Sequence, residues 1–357
     1  MRARLGAFAA AALFALAAPP AGAAEYDPVA AGTTTLALSA PFARLLSAHH
    51  VSIQARGGAR SNAKRIVLPA SGSEFDPVLG AGTVESEGAI VFVAGKRKVP
   101  FRAITFKAKR SPLYARVGGT QFKVASAKKL SYKREGFGAV FTATGLRLSA
   151  KVATRLDKKL RLGKAIQAGQ PLGTLVSRMS PSTVHLLAQN RVSLALAPAF
   201  VAKLNSLFVS LNPIAPAELG PGPTLSFPIG PESTLAPDAG AGLIKTGGAV
   251  ELLQLGSAQV FWQEPWLEPG AVTISSESDL EPSPPKPGKE PRGPLLAFPA
   301  GGQVNADPTS RAIAVDGRAA TLTPATAESL DSSFAKGEPT FSAGEPIGSI
   351  SFITQAH

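Results

Sequence analysis

Leu36-Ala-Leu-Ser-Ala-Pro-Phe-Ala-Arg-Leu-Leu-Ser-Ala-His-His-Val-Ser-Ile53 decides how this chain is built, because it occurs twice. Its second version is Leu194-Ala-Leu-Ala-Pro-Ala-Phe-Val-Ala-Lys-Leu-Asn-Ser-Leu-Phe-Val-Ser-Leu211, with 7 of 18 positions identical and no gap. Further along, Pro77-Val-Leu-Gly-Ala-Gly-Thr-Val-Glu-Ser-Glu-Gly-Ala-Ile90 matches Pro237-Asp-Ala-Gly-Ala-Gly-Leu-Ile-Lys-Thr-Gly-Gly-Ala-Val250. A third block pairs Ala168-Gly-Gln-Pro-Leu-Gly173 with Ala343-Gly-Glu-Pro-Ile-Gly348. Three blocks in one order, offset by 158 to 175 residues, describe a tandem duplication.

Each copy reads as mostly β. Ala89-Ile-Val-Phe-Val93 and Val99-Pro-Phe-Arg-Ala-Ile-Thr-Phe106 are short runs rich in β-formers and bounded by glycine or charge. Strict alternation there puts Phe101, Ala103 and Thr105 on one face and Arg102, Ile104 and Phe106 on the other. Gly80-Ala-Gly82 and Gly240-Ala-Gly242 sit where a turn feeds the next strand. Helices are few and short. Ser39 caps one that starts near Pro41, and Ser149 and Thr323 open similar segments ending near Leu160 and Phe334. The fold class is therefore all-β, with two tandem β-sandwich-like domains and a few short helices.

Arg2 and Arg4 precede an uncharged run from Leu5 to Ala18, followed by Pro19-Pro20 and the small residues Ala21-Gly22-Ala23. That is the pattern of an export signal cleaved before Ala24. The run of about 14 residues is shorter than the about 20 a spanning helix needs. We read residues 1–23 as a signal peptide, 24–180 as a basic first domain and 181–357 as an acidic second domain. The second carries a proline-rich loop at 281–294. Secretion to the cell envelope or beyond follows, with no transmembrane segment in the mature chain.

The 357 residues include no Cys and 4 His, which excludes a disulfide scaffold, a thiol nucleophile and a thiolate metal site. There is no H-E-x-x-H, G-x-S-x-G or G-x-x-x-x-G-K-[ST]. The expectation is a protein that binds and does not catalyse. Charge is the most distinctive feature. Residues 25–180 hold 26 Lys and Arg against 8 Asp and Glu, whereas residues from 181 onward hold 9 against 16. Such an imbalance suits an anionic ligand or envelope polymer, or electrostatic packing of the two domains on each other. Few aromatics accompany the basic stretch, so nucleic acid is not expected.

Pro69-Ala-Ser-Gly72, Asp76, Gly80-Ala-Gly-Thr-Val84, Gly88 and Phe92, with the closing segment Leu148 to Gly173, resemble the haem-transport-associated HtaA domain. Phe227, Pro228, Gly240, Gly242 and Gly248 keep that framework in the second copy. The resemblance implies secreted or envelope β-domains, some of which bind haem through a tyrosine and a nearby histidine. At the matching places this chain has Leu46-Ser47 and Leu204-Asn205 for the tyrosine, and Val91 to Gly95 and Glu251 to Leu255 for the histidine.

Other residues become the candidates. Tyr114 lies among cations that would favour its phenolate. His49 and His50 form the one histidine pair. Lys96, Arg97, Lys98 and Arg102 stand where the basic run Lys96 to Lys164 begins, a run with 20 cations and 2 acids. Haem is the candidate cofactor, held by its propionates. The alternative is a structural or adhesive wall protein with no small ligand. Phe261-Trp-Gln-Glu-Pro-Trp266 reads as core packing, with Phe261 aligned to Phe101 and Trp266 to Phe106, while the alignment of Trp262 with Arg102 leaves Trp262 expected at the surface.

Overall fold

The computed structural model describes residues 25–62, 64–110, 112–188, 190–256, 258–269, 273–277, 293–298 and 304–357. Residues 1–24, where the sequence leads us to expect a signal peptide, and residues 281–292 of the expected proline-rich loop lie outside the described residues, while Gly293 and Pro294 open a strand, Gly293–Ala297.

In the first copy the opening strand Asp27–Leu38 runs between the closing strand Pro171–Pro181 and strand Arg65–Pro69. Gly138–Leu148 and then Lys129–Glu135 extend this layer beyond the closing strand. A second layer is an antiparallel meander in which Val51–Arg56, Gly82–Ala94, Arg97–Lys107, Pro112–Val117 and Thr120–Ser126 pair in that order. The layers join where Leu148 pairs with Ala125 and where the short strand Glu74–Phe75 links Asp27 to Gly82. Alternating side chains from both layers meet in one apolar cluster that includes Leu36, Leu68, Phe92, Phe106, Phe141 and Leu175.

The second copy repeats this path. Its opening strand Arg191–Leu196 lies between Thr224–Pro228 and the closing strand Pro346–Gln355. Leu36 stands opposite Ile66 and Leu175, and Leu194 opposite Leu225 and Ile350. Its own cluster contains Leu194, Phe227, Val250, Trp262, Phe334 and Ile350. Each copy buries its own apolar cluster, and Phe137 of the first copy also packs against the second.

Among the described residues there are four α-helices: α1 (Ala40–Ala48), α2 (Ala150–Leu160), α3 (Pro198–Ser206) and α4 (Pro324–Phe334). Ser39, Ser149 and Thr323 each accept the N–H three residues on, and thereby satisfy one of the donors a helix start leaves unpaired. Ala197 heads α3 without such a bond, and proline follows it. Asp157 of α2 and Asp331 of α4 tie down the loop that follows each helix. Asp157 accepts from the N–H of Lys164 (2.8 Å) and Ile166 (3.3 Å), and Asp331 from Thr340 (2.9 Å) and Phe341 (2.7 Å).

Close backbone approach explains the third repeated block. A Cβ on Gly173 would stand 1.9 Å from the carbonyl oxygen of Ala37, and one on Gly348 would stand 2.1 Å from that of Ala195. Only glycine lets the closing strand lie against the opening strand there.

Two expectations need correction. The alternation over residues 101–106 is broken by a β-bulge at Ala103, whose φ is 45°, so Phe101, Ile104 and Phe106 all enter the core. In the second copy Val250 stands opposite Trp262, just as Ile90 stands opposite Phe101. Trp262 therefore takes the place of Phe101 and is buried, with 2% exposed. Phe261 falls on the outer face, opposite Glu251, and Leu267 replaces Phe106 opposite the Ile244 backbone. One extra residue before Phe261 turned every following side chain over.

Candidate anion-binding site

The meander of the first domain has an outer face, and its strands determine what that face displays. Along Val51–Arg56, Val51 and Ile53 pack inward, so Ser52, Gln54 and Arg56 point out. Arg56 stands opposite Ala89, Ala89 opposite Arg102, and Arg102 opposite Arg116. Register partners in antiparallel strands share a face. Three guanidinium groups thus lie on one line across four strands, interrupted only by a methyl group.

Beside that line lies an open groove of about 360 Å³. Arg56, Lys98 and Arg102 line it together with the apolar Ala89, Val91 and Pro100. Gly57 and Gly88 complete one end, and here glycine is required. Gly88 has φ +89°, and a Cβ on it would come 2.6 Å from the carbonyl oxygens of Arg56 and Gly57. The cations are exposed, and among the described residues Arg56, Lys98, Arg102 and Arg116 take part in no ion pair. Glu85 belongs to the next row beyond the bulge, opposite Thr105. Cross-strand like charges are destabilising, so the Arg102–Arg116 pair does nothing for the fold.

The candidate residues from the sequence divide into three places. Lys98 and Arg102 enter the groove. Tyr114 is half-buried in the Glu85–Thr105 row, opposite Thr105 and Lys123, with the Lys107 ammonium 5.9 Å from its ring centroid. His49, His50, Lys96 and Arg97 are exposed at the far end of the sheet, where Val51 meets Ala94. His49 terminates α1, and His50 has a left-handed backbone, φ 54°. Arg56 and Arg116 were missed. Their signal was present as the polar half of Val51-Ser-Ile-Gln-Ala-Arg56 and of Leu113-Tyr-Ala-Arg-Val117.

The second copy holds the same face with other residues. Ile214 and Ala249 are paired as Arg56 and Ala89 are, Gln263 stands where Arg102 does, and Glu277 is its register partner in place of Arg116. Gln259 replaces Lys98. Its polar groups satisfy one another: Glu251 accepts from Asn212 at 3.0 Å and from the Gln259 amide.

Two solved structures are similar to parts of this chain. The chain is similar to HtaA domains. The C-terminal domain of HtaA from Corynebacterium glutamicum matches at 15% identity and TM-score 0.33, over 42% of this chain and 96% of that one. The N-terminal domain of the same protein matches at 14% identity and TM-score 0.31, over 43% and 99%. No family profile and no curated protein matches the chain.

Whether haem iron could be held was tested on the residues present. Leu46, at one position matching the HtaA tyrosine, is buried in the core with 4% exposed, and Ser47 beside it is exposed. The groove itself is lined by no Tyr, His or Met. An iron needs such an axial donor, so the groove fits anionic groups and does not fit iron ligation. Among the described residues no cluster of three His, Cys, Asp or Glu occurs, and no helix is long and apolar enough to cross a membrane.

The two domains meet through a polar joint near both chain ends. Asp27, with 1% exposed, accepts at one oxygen from the His185 backbone N–H (3.1 Å) and from Nδ1 of its ring (2.9 Å). That hydrogen bond raises the His185 pKa above its usual 6.5, against the opposing effect of burial. His357 donates its N–H to the His185 carbonyl at 3.0 Å, and its own carbonyl accepts from Arg134 at 2.6 Å. Tyr132 beside it donates to the Pro77 carbonyl at 2.9 Å, and burial pushes its pKa up.

Proposed function

We propose that this is a secreted cell-envelope binding protein of the HtaA type, whose first domain binds an anionic ligand through the groove lined by Arg56, Lys98 and Arg102. One observation carries the reading: three unpaired cations surround a groove in one copy, and Ile214, Gln259 and Gln263 replace them in the other. Folding does not require the charge, since the second copy builds the same sheets without it. Haem fits through its two propionates over the apolar Val91 and Pro100, with no protein bond to its iron. The second domain reads as a non-catalytic spacer or adhesive unit, favoured by the closed Asn212–Glu251–Gln259 hydrogen-bond set on its corresponding face.

The test titrates the full chain with haemin and with inorganic pyrophosphate at low and near-physiological salt. Screening is already strong beyond about 8 Å at 0.15 M ionic strength, so both ligands should weaken steeply as salt rises. The Arg56→Gln, Lys98→Gln, Arg102→Gln triple variant should abolish most of that binding. Equal binding by the triple variant removes the groove. A ligand-type Soret shift lost on His49→Ala or His50→Ala moves the site to the end of α1 and contradicts the reading.

A further inference from the structure

We infer that the anionic ligand is a linear phosphate polymer lying across the strands of the first domain, and not a compact anion confined to the groove. This rests on the groove reading and extends it. The row Arg56, Ala89, Arg102, Arg116 continues past the groove, because Arg116 belongs to the row but does not line the cavity. With strands about 4.8 Å apart, the row spans about 14 Å from Arg56 to Arg116. None of the paired residues of the row is a carboxylate, and Ala89 puts only a methyl group between Arg56 and Arg102. A compact anion in the groove would leave Arg116 facing Arg102 with nothing between them.

The chemistry of the pair selects the ligand class. Two guanidinium groups on directly opposed residues can converge on one tetrahedral phosphate from different sides, whereas a planar carboxylate presents a single edge that matches a guanidinium fork. Repetition of the cation along the row then calls for repetition of the anion. Base stacking has no platform in this row: the only neighbouring aromatic, Tyr114, lies in the next row with Lys107 over its ring. In the second domain the same row reads Ile214, Ala249, Gln263 and Glu277, with no cation among them.

The experiment compares the full chain and its Arg116→Gln variant against four probes: pyrophosphate, inorganic polyphosphate of increasing length, poly(glycerol phosphate), and single-stranded RNA of matched charge. Affinity should rise roughly tenfold or more from pyrophosphate to a polymer long enough to span the row, since the later contacts become intramolecular. Arg116→Gln should remove most of that gain and weaken pyrophosphate, which the groove cations Arg56, Lys98 and Arg102 still hold, far less. Whichever phosphate polymer binds more tightly identifies the source of the shared chemistry. Pyrophosphate and polymer binding equally, or a polymer gain indifferent to Arg116→Gln, overturns the polymer while leaving the groove intact. Loss of pyrophosphate binding in neither the triple groove variant nor high salt would instead remove the groove. RNA binding more tightly than either phosphate polymer overturns the inference in favour of base recognition.

Discussion

The two halves of this chain keep the same backbone and differ in what the backbone displays. Inside, the correspondences are close: Leu36 and Leu194, Asp157 and Asp331, Gly173 and Gly348 occupy equivalent places with the same partners. Outside, Arg56, Lys98, Arg102 and Arg116 face Ile214, Gln259, Gln263 and Glu277. Packing and backbone geometry tolerate little change, because interiors are close-packed and buried donors must be paired. The arginines of the row are exposed in the first copy, where their charges are not needed by the fold, and Gln263, the counterpart of Arg102, is buried in the second with 5% exposed. The difference therefore separates what the fold needs from what a ligand needs.

The interior half of that comparison predicts the largest effects. Gly173→Ala and Gly348→Ala should each destabilise their own domain by about 3 kcal/mol or more, because a methyl group cannot fit against the opposing carbonyl oxygen. Denaturant unfolding of the two variants should show loss in different halves, read by limited proteolysis. A variant that unfolds both halves equally would show that the copies are not separate cooperative units.

A smaller and symmetrical effect is expected at the ends of α2 and α4. Asp157→Ala and Asp331→Ala each leave two backbone N–H groups without their acceptor. Each should cost about 1–2 kcal/mol. Unfolding free energies that differ strongly between the two would break the equivalence of the copies at this position.

The smallest effect concerns the joint between them. His185 has its pKa raised on folding, so its ionised form contributes stability that is fully present below about pH 6.5 and lost as pH rises through the raised folded value. Partial exposure of the His185 ring keeps this contribution below about 1 kcal/mol. The melting temperature of the native chain should exceed that of His185→Ala more at pH 5.5 than at pH 8. A gap that widens with rising pH would contradict the assignment.

Local chemistry was legible in the sequence wherever a single residue carries the signal. Ser39, Ser149 and Thr323 marked helix starts because a side-chain oxygen there has one local task, and Leu160 and Phe334 marked the ends. The repeated glycines marked close approaches for the same reason. What escaped depends on pairing between distant strands. The bulge at Ala103 and the one-residue slip before Phe261 are invisible to a pattern of alternating residues, and they reversed the reading of Ile104 and Trp262. Arg56 and Arg116 are 60 positions apart and meet only through the register of the strands between them. The basic run pointed to an anion, but it could not select Lys98 and Arg102 from Lys96 and Arg97.

The central claim is that unpaired charge on a shared scaffold makes the site, and a reciprocal transplant tests it most directly. Ile214→Arg, Gln259→Lys and Gln263→Arg would be introduced into the second domain of the otherwise native chain, and pyrophosphate stoichiometry measured by calorimetry. The account predicts one bound pyrophosphate per native chain and two per transplanted chain. An unchanged stoichiometry in a transplanted chain that folds and melts like the native one would contradict it.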